Sequence, residues 1–256
     1  MRAFIAFFKK EMLESVRSGK LLILGVIFLA VGIMNPAIAK LTPWLFEMLA
    51  EELAESGMVV SATEVDALTS WTQFFKNIPM AFIAFIFIYG GIFTKEYDSG
   101  TLVLILTKGL ARYKIVLAKS VVMLLSWSAC YWFCFGVTYA YNAYYWDNSV
   151  AVGLMPAVLN WWIFGIFVIA LTVLFSTLTK GYGGVLLGTG AVVFGSYMLS
   201  IIPKISDYVP TALMNSGELL IGAESADEYV FATVIAIAIS VLCIVLSIPV
   251  LNKKQI

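Results

Sequence analysis

Histidine is absent from this chain, cysteine occurs three times, and charged residues make up only 12% of the sequence. Without histidine, a serine or cysteine nucleophile has no ordinary base, and neither a proton relay nor an imidazole metal site can be built. Cys130, Cys134 and Cys243 stand in apolar surroundings, where a thiol acts as a small hydrophobe, and too few other ligands accompany them for a metal centre. A phosphate-binding G-x-x-x-x-G-K-[ST] loop is also missing, since Ser18-Gly19-Lys20 lacks the preceding glycine. ATP hydrolysis by that route is therefore excluded. The long apolar runs carry no ionisable residue, which argues against proton coupling, voltage sensing and a paired-carboxylate protease. Net charge is zero, so bulk electrostatics points to no nucleic acid.

What is present is apolar sequence, 61% of the chain. A soluble domain carries about 25% charge, and a core of this size could not hide so much apolar surface. No Lys, Arg, Asp or Glu occurs in residues 21–39, 77–94, 120–146, 148–179, 185–203 or 229–252. Each window reaches the roughly 17–25 residues that cross a hydrocarbon core of about 30 Å. Backbone groups in hydrocarbon need internal partners, so these windows are expected to be helices. The expectation is an all-α integral membrane protein forming one transmembrane domain. Its spans fall at 21–39, 78–93, 115–145, 157–178, 185–202 and 229–251. A cleaved signal peptide fits the first window poorly, because its apolar run exceeds the usual 7–15 residues.

Charge sorts by side. Segments 1–20, 95–119, 179–184 and 252–256 hold 13 of the 16 basic residues; Lys40, Lys76 and Lys204 are the remainder. The positive-inside rule then places both termini in the cytoplasm. Residues 1–20 read as a helix in the headgroup layer, with Phe4, Phe8, Met12 and Val16 on one face and Lys9, Lys10, Glu14 and Arg17 on others. On the outer side, Pro43 is expected to open a short helix through Glu55. Trp44, Leu45, Met48, Leu49 and Leu53 would share one face, opposite Glu47, Glu51, Glu52 and Glu55. Pro79 is expected at the first helical position of the second span.

The segment 94–114 is the most informative. Glu96 is followed by Gly100, Thr101 and Leu102, then by an apolar run to Leu106 that is too short to span; Gly109, Arg112, Lys114 and Lys119 come next. An anionic-lipid contact is the ordinary reading of such a basic loop, but an apolar patch within it suggests docking. This pattern, the Lys10-Glu11 pair in an amphipathic N-terminal helix, the six spans and the proline-broken outer loop from Pro210 to Gly222 resemble permease subunits of bacterial type 2 ATP-binding-cassette exporters, of the small six-span peptide or antibiotic type. The resemblance covers essentially the whole chain. It departs from the family at Gly109, where proline is common.

The resemblance implies a short coupling helix seated on a separate ABC ATPase subunit, with Glu96, Tyr97, Ser99, Gly100, Thr101, Leu102, Ile105 and Arg112 carrying the coupling. Glu96 would join the interface helix through Lys9, Lys10 or Arg17. ATP and Mg would be bound by the partner ATPase and no cofactor by this chain, which would be a non-catalytic permease. A second permease copy, in a homodimer, would complete the path. Phe82, Phe85, Ile86 and Tyr89 on the second span, with Phe194, Tyr197 and Met198 on the fifth, are candidates for the cavity wall. Gly184, Gly188, Ala191 and Gly195 form a small-residue stripe for helix packing; the sequence leaves open whether it packs within a protomer or across a dimer. The implied cargo is apolar or amphipathic, such as a peptide antibiotic, exported across a bacterial plasma membrane. A non-transporting scaffold or a passive channel is the alternative reading.

Overall fold

A computed structural model describes residues 2–55, 65–107, 109–215 and 217–254. Among them are ten α-helices: α1 (Arg2–Arg17), α2 (Lys20–Glu55), α3 (Ala67–Tyr89), α4 (Thr94–Asp98), α5 (Thr101–Thr107), α6 (Arg112–Tyr145), α7 (Leu154–Leu178), α8 (Tyr182–Ser200), α9 (Gly217–Ile221) and α10 (Val230–Lys253). Six, namely α2, α3, α6, α7, α8 and α10, are long and apolar enough to cross a membrane, and no strand occurs among the described residues. The chain is an all-α, multi-pass membrane protein.

One packed group contains α1, α2, α3 and α6, and the other contains α7, α8 and α10; α6 joins them by contacting α7 and α10. Aromatic rings fill the junction. Trp127 lies 4.6 Å from Phe82, 5.0 Å from Tyr131 and 5.7 Å from Phe85, centroid to centroid. Gly165 on α7 lets that indole approach, since a Cβ there would meet Trp127 at 2.4 Å.

Two helices run through prolines that the sequence reading takes as helix starts. α2 continues past Pro36 and Pro43 to Glu55, so Pro43 opens no separate helix. α3 begins at Ala67, where the Asp66 side chain accepts a hydrogen bond from the Thr69 N–H, so Pro79 lies well inside the helix. Proline costs a helix the hydrogen bond to the carbonyl four residues back, but in a bundle a neighbour can satisfy that carbonyl. At Pro36 the neighbour is Thr138 of α6, which donates to the Gly32 carbonyl at 3.0 Å and accepts from Asn35. Asn77 of α3 donates to Asn35 at 3.0 Å, so the site links three helices. Past Pro43, Trp44, Leu45, Glu47 and Met48 are all exposed. The expected opposition of Leu49 and Leu53 to Glu51, Glu52 and Glu55 lies outside the described side chains, and Lys108 outside the described residues.

At one end of the bundle, a 3₁₀ turn, Pro210–Met214, is buried against α7, α8 and α10. Leu219 of α9 presses on Gly153, where a Cβ would stand 2.0 Å from the Leu219 carbonyl oxygen. The segments carrying most of the basic residues gather at the opposite end.

Candidate functional site

That basic end is organised around buried carboxylates. Of the Phe4–Phe8–Met12–Val16 line, α1 half-buries Phe4, Phe8 and Met12 against the core and leaves Val16 exposed; its fully buried residues are Phe7, Glu11 and Ser15. Glu11 thereby faces inward at 5% exposure, where a lone carboxylate would be expensive. Its counter-charge comes from α6. Lys119, 1% exposed, donates to Glu11 Oε2 at 2.8 Å and lies 3.1 Å from Glu96 Oε2 of α4. Lys10 closes the other side, with its ammonium 2.8 Å from Glu11 Oε1, 2.8 Å from Glu14 Oε2 and 3.2 Å from Glu96 Oε1. Phe7 and Phe93 flank the Lys119 ammonium at 5.9 and 5.6 Å.

Burial pulls the Lys10 ammonium toward its neutral form. Hydrogen bonds to Glu11 and Glu14 and the charge of Glu96 more than reverse this, so its pKa lies above the ordinary lysine range. For Glu14, burial acts upward, but the Lys10 hydrogen bond and charge dominate and hold its pKa below the ordinary carboxylate range. The cluster joins α1, α4 and α6 through ion pairs. Of the interface-helix residues expected to meet Glu96, Lys10 does so, whereas Lys9 and Arg17 are exposed on other faces. Lys119 and Glu11 were not among the expected site residues.

α4 and α5 meet at Gly100, whose φ of +65° suits glycine. Leu102 is fully buried and Ile105 half-buried, while Val103 and Leu104 are 40% and 62% exposed at the end of the bundle. Ser99 and Thr101 are exposed and hydrogen-bond to each other at 2.9 Å. Arg112 turns the other way. It donates to the carbonyls of Leu251, Asn252 and Lys254, capping the last turn of α10. Lys254 in turn donates to the carbonyls of Thr177 and Thr179 at the end of α7, and its ammonium lies 4.1 Å from the Tyr97 ring. Each cation sits where a helix dipole is negative. Burial, then the nearby Lys180, pulls the Lys254 pKa down.

Alongside, α3, α7 and α8 line an apolar cavity of about 320 Å³ that is partly open to the outside, with Ile83 and Phe87 exposed at its edge. Phe82 and Ile86 line it, together with Trp161, Phe164, Thr189 and Gly190. Phe85 and Tyr89 do not. Both are fully buried against α6, where Tyr89 hydrogen-bonds to Ser126 at 2.8 Å. Phe194, Tyr197 and Met198 do not line the cavity either and are exposed at 63%, 53% and 41%. The glycine stripe divides. Gly188 packs on Phe175 of α7, where a Cβ would stand 2.3 Å away, and Gly184 abuts Thr179; Ala191 is exposed and Gly195 has open space beside it. Its first half thus packs within the protomer.

No solved structure matches the chain. An uncharacterized transmembrane protein of Bacillus subtilis strain 168, YxlG, is 24% identical over 255 residues, covering 96% of this chain and 94% of that protein. The pattern of the ABC-2 family transporter proteins matches residues 5–251, from α1 to the last turn of α10. That span takes in the charged cluster, the α4–α5 segment and all six crossing helices, and the chain belongs to the ABC-2 family as a membrane-spanning transporter component.

Proposed function

We propose that this chain is the permease of an ATP-driven exporter, receiving force from a separate ATPase through α4 and α5. The observation that carries the reading is the Lys10–Glu11–Glu96–Lys119 cluster. It ties α4, which leads through Gly100 into α5 and its exposed apolar residues Val103 and Leu104, to both α1 and the start of a crossing helix. An exposed apolar tip on a charged, well-anchored base suits docking into a groove of another protein. The excess of basic residues at this end supports a cytoplasmic location for it and for both termini, where an ATPase would meet it.

Two permease copies and two ATPases would form the working unit, with the sparsely covered face of α8 turned toward the second copy. Only 11% of the α8 membrane window is buried in the single chain, the least of the six spans. The cargo is apolar or amphipathic, in keeping with the charge-free cavity wall, and a peptide or peptide antibiotic of a bacterial plasma membrane fits that chemistry. ATP and Mg belong to the partner subunit.

The test is co-expression with the membrane-span-free ABC ATPases of the same genome, followed by co-purification and vesicle export assays. Leu104→Asp should abolish co-purification, and Glu96→Ala should uncouple ATP hydrolysis from export. Undiminished co-purification of the first variant and intact export by the second would sink the reading.

A further inference from the structure

The short helix α4 packs its backbone mainly against α5, so its ties to the crossing helices are made by side chains. Two neighbouring residues make them on different sides, since successive residues of a helix point about 100° apart. Glu96 reaches Lys10 of α1 and Lys119 of α6, both in the packed group that holds α2 and α3. Tyr97 presents its ring to the ammonium of Lys254, just past α10, which lies 4.1 Å from the ring centroid. The same ammonium donates to the carbonyls of Thr177 and Thr179, at 2.9 and 2.5 Å, at the end of α7. Lys254 thus bridges α4 to the other packed group, that of α7, α8 and α10.

The chemistry of this bridge is specific to a cation. Among the described residues Lys254 has no carboxylate partner. Its ammonium is held instead by the last carbonyls of α7, where the helix dipole is negative, and by an aromatic face, whose quadrupole attracts positive charge. The Tyr97 hydroxyl is buried without a hydrogen-bond partner among the described residues, so the ring is what this residue contributes. Arg112 donates to the carbonyls of Leu251, Asn252 and Lys254 and so fixes the backbone from which Lys254 reaches across.

We infer that Lys254 is a positioning residue for force transfer. It joins α4 to the end of α7, so a displacement of α4 reaches the second helix group directly as well as through the Glu96 cluster. The use of this joint in transport deepens the exporter reading and rests on it; the joint itself does not.

The experiment uses the full chain in lipid nanodiscs, without any ATPase, and reads amide hydrogen exchange by mass spectrometry. Two stretches report, 94–98 in α4 and 174–180 at the end of α7. The Pro210–Met214 turn at the opposite end is the control for global loosening and should not change. Tyr97→Leu removes the ring and should speed exchange about two- to fivefold in both reporting stretches, the factor for one cation–π pair. Tyr97→Phe keeps the ring and should leave both at the native rate. Lys254→Met also removes two hydrogen bonds from a charged donor and should speed both about tenfold. Lys254→Arg keeps the cation and its donors and should restore most of the native rate. With Tyr97→Leu added to Lys254→Met, the α7 stretch should exchange no faster than in Lys254→Met alone. Exchange that rises in α4 alone on Tyr97→Leu would overturn the inference. So would a Tyr97→Phe protein that behaves like Tyr97→Leu, or a Lys254→Arg protein that behaves like Lys254→Met. Because no ATPase is present, failure here leaves co-purification with an ATPase free to succeed, and a chain that binds no ATPase can still show the joint.

Discussion

Replacing Lys119 with methionine keeps most of the side chain's apolar stem and deletes the cation that reaches both Glu11 and Glu96. The five interacting groups are the carboxylates of Glu11, Glu14 and Glu96 and the ammoniums of Lys10 and Lys119. The substitution moves their sum from −1 to −2. Glu11 and Glu96, with side chains 5% and 9% exposed, would then share Lys10, which is 45% exposed and also serves Glu14. Removing one partner of a buried pair costs about 3–5 kcal/mol. For a chain of this size that corresponds to a fall of about 6–20 °C in apparent melting temperature. The buried free thiols of Cys130, Cys134 and Cys243 supply the assay, since a thiol-reactive dye should label them only on unfolding. Adding Glu11→Gln to Lys119→Met should recover part of the loss, by more than about 1 kcal/mol relative to the sum of the single effects. Lys10→Met, at an exposed position, should cost no more than about 1 kcal/mol. A Lys119→Met protein melting within about 2 °C of the unaltered chain would refute the electrostatic argument, because it corresponds to less than about 1 kcal/mol.

Acid should loosen the same end. Glu14 has a folded pKa below its unfolded value of 4.5, so its pairing stabilises above that pH and is lost as pH falls toward the folded value; melting temperature should drop below about pH 4.5, and less so in Glu14→Gln. Arg112→Ala releases three carbonyls at the end of α10, worth up to about 2 kcal/mol; hydrogen exchange in that last turn should quicken, and unchanged exchange would show the contact to be idle. Gly165→Ala puts a methyl 2.4 Å from the Trp127 indole, an overpacking cost of about 1–3 kcal/mol. Its thermal midpoint should fall, whereas Gly190→Ala, with open space beside it, should melt like the unaltered chain.

The crossing helices were legible because hydrocarbon imposes two local requirements, length and absence of charge, and both are visible in a run of residues. The cluster was only half legible. Lys10 and Glu96 stood out as charges near the membrane surface and Glu11 as the neighbour of Lys10, but the pairing of Glu11 with Lys119 was not legible because the two are 108 residues apart. Pro43 and Pro79 misled because a helix in a bundle can continue through proline. Pro36 shows how: its freed Gly32 carbonyl is taken by Thr138, 106 residues on, and no local pattern announces that. One missed boundary did carry a local signal: Asp66, three residues before Thr69, is an N-cap that places the start of α3. On α3 and α8 the apolar residues surround the helix, so no stripe distinguishes Phe82 and Ile86, which face the cavity, from Phe85 and Tyr89, which face α6.

The positions of cluster and cavity constrain how one can act on the other. Phe82 and Glu96 stand at the two ends of a nearly continuous stretch, α3 into α4, broken by a turn at 90–93. At that turn Gly90 and Gly91 lie close to Tyr182, and the Tyr182 hydroxyl donates to the Phe87 carbonyl at 2.7 Å, so the start of α8 is keyed to the end of α3. The end of α7 is held differently, by Lys254 to its last carbonyls, while Arg112 fastens the same tail of α10 to the start of α6. Packed elements transmit displacement as discrete shifts rather than by bending. A push on α4 would therefore move the end of α3 and, through Tyr182, the start of α8, whose Gly188 packs on Phe175 of α7. Since these three helices form the cavity wall, its width would change while its length along the helices stayed fixed. A molecule lying in the cavity along the helices would be gripped or released by such a change.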